Sequence, residues 1–167
     1  MTKLLAFPDP VNDHAARTVA AGVVVLCLAT IVTGSPVPLA LLVYGFAARV
    51  ATGPTLSPLG QLATRVVAPR LGEAKLVPGP PKRFAQGMGF VFSGTAAVLF
   101  FGFGLHTAAL VVVGMLAVPA LLEAALGYCI GCRIFSVLMR FGVIPESVCP
   151  ECADLTKRYP ERYATTQ

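Results

Sequence analysis

Four of the five cysteines stand in two C-x-x-C pairs: Cys129 and Cys132 in "GYCIGC", and Cys149 and Cys152 in "CPEC". The spacing C-x2-C-x16-C-x2-C matches the pattern of a zinc site, in which each pair lends two thiolates to a tetrahedron. The same residues suit dithiol chemistry, because a C-x-x-C near cationic groups has a lowered thiol pKa and becomes nucleophilic. Glu123 lies six residues before Cys129, roughly 9 Å further along a helix. It sits in an otherwise apolar run, where a carboxylate needs a partner. The available partners are Arg49 and Arg83, the latter with Gln86, while Asn12, Asp13 and Arg17 enter at the same depth. Two readings follow. One is a buried ion-pair knot that fixes helix register. The other is a polar pocket that tunes the Cys129–Cys132 pair or holds a small anion.

The rest of the chain says what must hold these groups in place. Of its 167 residues, 56% are hydrophobic and only 13% are charged, against roughly 25% charged in soluble domains. Mean hydropathy is +0.76. Apolar runs near 20 residues cross ~30 Å of hydrocarbon as helices. Four such runs are expected, at about 15–34, 37–52, 84–104 and 107–127. Asn12 or Asp13 caps the first, and Pro36 and Pro38 open the second. The tight links "TGSPVP" and "FGLHT" make each consecutive pair an antiparallel hairpin. The expected fold is therefore all-α: a polytopic membrane protein with a four-span domain over residues 1–141 and a polar tail over 142–167. The first run is read as a span and not a cleaved signal peptide, since acidic residues precede it and no clear A-x-A site follows.

Between the second and third runs, Ser57 to Gly72 forms a short amphipathic helix at the interface, with Leu59, Leu62, Val66 and Val67 near one face. The Pro-rich "VPGPPKR" after it is read as a stiff turn. All thirteen Lys and Arg lie toward one side of the expected bundle: Lys3 and Arg17 at the start of the first run, six from Arg49 at the end of the second run to Arg83, and five after the fourth run, with none in the two hairpin turns. Basic residues near span ends stay in the cytoplasm. Both termini and the linker are therefore expected there, in contact with anionic lipid. No nucleic-acid signature is present.

In that reducing compartment stable structural disulfides are rare, so the pairs are expected to bind metal or to do redox work. For all four cysteines to meet, the stretch from Arg133 to Phe141, read as helical, must fold back. Cys27, alone in mid-span, reads as a small packed hydrophobe. "GMGFVF" and "GFGLHT" lack the strand–turn–helix setting of a dinucleotide site. His14 and His106 fall on opposite sides of the membrane by this topology and cannot share a site. There is no βαβ pattern, and nothing resembles a nucleophile–base triad.

Together, "PVNDHAAR", Arg49, "LSPL", "PKRFAQGMG" and "GYCIGCRIF" resemble a family of small bacterial membrane proteins catalogued as domain of unknown function 4395. Phe135 stands where Tyr is common in the family, and "CPEC" lies beyond the usual family core. The resemblance implies a four-helix membrane domain. It also implies thiol or sulfur handling, with a thioredoxin-like or sulfurtransferase partner protein. The leading expectation is a thiol-redox or sulfur-transfer accessory protein working through Cys129 and Cys132, with Glu123, Arg49 and Arg83 around them. The competing expectation is a non-catalytic protein with a structural zinc held by Cys129, Cys132, Cys149 and Cys152. Such a protein would be a subunit of a larger membrane complex or a homo-oligomer. A channel or transporter is the weakest fit, because four short spans enclose little path.

Overall fold

The computed structural model describes residues 7–72, 75–149 and 152. Lys3 and most of the tail, including Lys157, Arg158 and Arg162, lie outside the described residues. The architecture is all-α apart from one small strand pair. Helix α1 spans Asp13–Thr33, α2 Pro36–Thr52, α3 Pro58–Leu62, α4 Gly79–Ala97, α5 His106–Leu126 and α6 Ile130–Arg140. The last turn of α4 widens into a π-helix over Val98–Gly102, and α3 continues as π and 3-10 turns to Arg70.

Local chemistry sets the helix boundaries. Asn12 caps α1 by accepting the His14 N–H at 2.9 Å, and Ser35 caps α2 through the Val37 N–H. In both cases a side-chain oxygen takes one of the free donors of the first turn. The segment expected as a stiff turn is the start of α4, with Pro80 and Pro81 in its first turn. There a missing N–H costs nothing and a fixed φ is already helical. Strand β1 (Val11–Asn12) pairs antiparallel with β2 (Leu76–Val77), and the Asp13 N–H donates to Lys75 O at 2.8 Å. This seam ties the start of α1 to the start of α4.

Helix α1 packs most extensively on α5, and α2 on α4; α4 against α5 and α1 against α2 complete the ring. The core between them is made of Val23, Cys27, Leu39, Leu42, Phe46, Ala96, Val113 and Leu116. Cys27 is fully buried there, as its position implied. Outside the ring, Val25, Val32, Leu41, Val91, Val111 and Val118 are exposed. Apolar residues thus face both inward and outward, as in helices surrounded by lipid. Three helices are long and apolar enough to cross a membrane: α1, α4 with its π-turn, and α5. Helix α2, of 17 residues, is apolar but shorter.

The linker helix sits differently from expectation. Ala63 and Ala68 are buried with Ala15 and Val19 of α1, and Leu59 packs against them, while Leu62 and Val66 are exposed. The small side chains of Ala63 and Ala68 let the backbone approach α1 closely.

Candidate functional site

The charged residues of the bundle collect at one end, where α1 and α4 begin and α2 and α5 finish. Helix α5 stops at Gly127, whose φ of +67° lets its N–H turn back to the carbonyls of Glu123 and Leu122. This left-handed conformation favours glycine. Arg17 donates to the last carbonyls of α5, Ala124 O and Ala125 O, at 2.9–3.3 Å. A cation there meets the negative end of the helix dipole. Two residues later α6 begins with Cys129 as its cap.

Cys129 Sγ accepts the Cys132 backbone N–H at 3.3 Å and the Cys132 thiol at 2.8 Å. Gly131 makes this placement possible. A Cβ there would lie 2.6 Å from Ala85 Cβ and 2.8 Å from Ala85 Cα, so only glycine lets α6 press against α4 at this point. Both donors stabilise sulfur carrying negative charge. The hydrogen bond from the Cys132 thiol is the main cause that draws the Cys129 pKa below its ordinary value. Burial and Glu123 oppose the shift, and Lys82 with the Cys132 amide support it. The Cys132 thiol is pushed up, chiefly because its proton is held by Cys129, and then by burial. Of the two sulfurs, Cys129 is thus the one on which negative charge is stabilised, and Cys132 the one that holds the proton.

Beside the pair lies a three-membered ion cluster. Lys82 Nζ contacts Glu123 Oε1 at 2.6 Å and Asp13 Oδ1 at 3.3 Å, with all three side chains largely buried. The sequence correctly marked Glu123 as needing a partner, but neither proposed arginine supplies it. Arg49 donates to Gln86 Oε1 at 2.8 Å and Ser57 Oγ at 3.2 Å, and lies over the Phe46 ring. Arg83 donates to Val50 O, in the last turn of α2, at 3.1 Å. The reason is rotation about the α4 axis. Its inward stripe runs through Gly79, Lys82, Gly89, Ser93 and Ala96, and Arg83, one residue on, points about 100° away. That small-residue stripe was the signal that would have found Lys82.

Cys129 stands in the wall between two cavities. One, of about 180 Å³, is mostly apolar and includes Val19, Phe92, Pro119 and Glu123 in its lining. The other, of about 410 Å³, is polar and is lined by Asp13, Lys82, Cys129, Cys132, Arg133 and Cys152 among others. Cys149 and Cys152 are joined as a disulfide. Among the described residues no group of three or more His, Cys, Asp or Glu is gathered closely enough to hold a metal ion. A four-cysteine zinc site would need this disulfide opened and the two pairs drawn together. His14 and His106 begin α1 and α5 at opposite ends of the bundle, and His106 stacks edge-on against Phe100 at 4.4 Å.

A family model described as a domain of unknown function, DUF4395, matches residues 11–140. The chain belongs to that family, as its motifs implied. The match holds Cys129 and Cys132 and stops short of Cys149 and Cys152. No curated protein and no solved structure matches the chain.

Proposed function

We propose that this protein is a bacterial inner-membrane protein whose Cys129–Cys132 pair carries out thiol–disulfide exchange, or sulfur transfer, at the cytoplasmic face. It has four spans in two antiparallel hairpins, with α2 as the fourth span and both termini in the cytoplasm. The uneven distribution of Lys and Arg supports this orientation. One observation carries the chemistry: Cys129 Sγ, at the N-terminus of α6, accepts both the amide and the thiol of Cys132. The sulfurs lie 2.8 Å apart, so closing a disulfide of about 2.05 Å needs only a small rotation of the side chains. Arg133 beside the polar cavity suits a soluble thioredoxin-like or sulfurtransferase protein that offers an acidic rim.

A second reading, a structural four-cysteine zinc clip, draws on the spacing and on the shared cavity of Cys129, Cys132 and Cys152. Metal analysis together with free-thiol counting on purified protein separates the two. Absence of zinc, with a pair that oxidises under mild oxidant, supports exchange. About one zinc per chain with masked thiols supports the clip. Orientation is tested separately. Cysteines introduced at Ser35 or His106 in a Cys-free background should react with impermeant maleimide from outside the cell, while linker positions should not. External labelling of the linker would overturn the cytoplasmic assignment.

A further inference from the structure

We infer that Cys149–Cys152 is the exchange partner of Cys129–Cys132 within the same chain, so that a two-electron relay crosses the polar cavity at this end of the bundle. The inference rests on the redox reading of Cys129 and Cys132 given above, and it assigns a role to the pair outside the family match.

The geometry starts from α6. Cys132, Phe135, Ser136 and Met139 recur at intervals of three and four residues and share one face of the helix. The chain reverses after Phe141, where the N–H groups of Val143 and Ile144 return to Leu138 O. It then runs back over that face. Cys149 is buried against Phe135 and Met139, with Phe84, Ile144 and Cys152 packed around them. Cys152 faces the same 410 Å³ cavity as Cys129 and Cys132. The fold-back thus brings both pairs to the border of one cavity.

A merely structural role suits this disulfide poorly. It closes a loop across two intervening residues, and the stabilisation from a cross-link shrinks with the length of chain it constrains. On the cytoplasmic side, disulfides belong to redox and catalytic pairs more than to architecture. The packing of Cys149 under Phe135 and Met139 leaves Cys152 as the sulfur open to attack.

The exchange balances without any other reactant. The Cys129 thiolate attacks Cys152 Sγ, forming a Cys129–Cys152 bond. The Cys149–Cys152 bond breaks, and Cys149 departs as a thiolate that takes up a proton. Cys132 then gives up its proton and attacks Cys129 Sγ. A Cys129–Cys132 disulfide forms and Cys152 is released, to be protonated in turn. The membrane-end pair loses two electrons and the tail pair gains them. The reverse sequence moves them back.

The test is to trap the intermediate in the full-length chain in detergent. Cys132→Ser removes the resolving thiol, so Cys129 should remain linked to Cys152, detected by peptide mapping after acid quench and alkylation. The yield should exceed that of any Cys132–Cys152 link in Cys129→Ser by about tenfold, following thiolate character. Oxidised glutathione is the control. If Cys129 of the Cys132→Ser chain forms a mixed disulfide with glutathione but never with Cys152, the relay is overturned and the redox reading stands. If it reacts with neither, both are overturned. The wild-type chain, treated with limiting dithiothreitol and quenched over time, guards against a misfolded variant. Movement of the remaining disulfide between the two pairs supports the relay; a disulfide that stays on the tail pair at every time overturns it.

Discussion

The two ends of the bundle are built on different terms. From Thr18 to Ala48 and from Phe84 to Leu122 there is no Asp, Glu, Lys or Arg. The far end, where α1 passes into α2 and α4 into α5, is closed by Gly34, Ser35 and Gly104. Val32, Val37, Phe101, Phe103 and Leu105 stand exposed around it. The near end has the Lys82–Asp13–Glu123 cluster, the Arg17 clamp on α5, and the Arg49 and Arg83 bonds. At the far end the helices are joined by short uncharged turns, and among the described residues no ion pair fixes one helix against another there. At the near end each buried polar group needs a specific counterpart, and the bundle is fixed in register there. Dithiol chemistry requires sulfurs held in position, so the cysteines belong at the end where polar contacts do the holding.

That contrast can be broken most directly at Lys82. Lys82→Met leaves Asp13 and Glu123 buried without a cation, and should cost about 3–5 kcal/mol, read from unfolding in mixed micelles. Glu123→Gln should cost less, because Asp13 still faces Lys82. A Lys82→Met chain as stable as wild type would show that the near end owes its order to something else. Next in size is Gly131→Ala, which drives a methyl into Ala85. We expect a loss of about 1–3 kcal/mol from overpacking, together with faster alkylation of Cys129 as α6 lifts from α4. Unchanged stability with unchanged thiol reactivity would argue against the tight α4–α6 contact.

A pH series sharpens the comparison without a substitution at the cysteines. Only the thiolate reacts with iodoacetamide, so the rate rises with pH and levels off above the pKa. Since Cys129 is drawn below the ordinary thiol value of 9.0, its rate should level off at lower pH than in the urea-unfolded chain, while Cys132 should lag. Coincident folded and unfolded profiles would remove Cys129 as the nucleophile. The smallest effect is expected at the far end. His106→Ala loses one exposed edge-on contact with Phe100, worth about 0.5–1.5 kcal/mol at most, and should leave thiol reactivity unchanged.

Much of this was legible in the residues. The expected helices differ from the observed ones by a few residues at most ends, because caps and prolines write their boundaries locally. Only α4 starts well ahead, at Gly79, since two prolines suit a first helical turn as well as a stiff one. Depth was legible too: Glu123 was recognisable as a buried acid near Cys129 from its place in an apolar run. What the sequence withheld was angle. Lys82 and Arg83 are adjacent and equally basic, yet only one lies on the inner stripe of α4, and that depends on how four helices pack together. The linker helix misled for the same reason, because Leu59 faces α1 together with Ala63 and Ala68, while Leu62 and Val66 face outward. That both cysteine pairs border one cavity depends on a reversal after Phe141 that no spacing rule specifies.

The ion cluster has a consequence for how the chain is made. Asp13 is separated from Lys82 by 69 residues and Lys82 from Glu123 by a further 41. At ribosomal rates of about 5–20 residues per second, Asp13 precedes its cation by roughly 3–14 s, and Glu123 follows roughly 2–8 s after that. Over that interval Asp13 has no Lys82 to pair with, and its carboxylate is stabilised by water alone. The seam between β1 and β2 can form only once Leu76 and Val77 have emerged. The near end can therefore close only after Glu123 has been made, although its first member is the thirteenth residue.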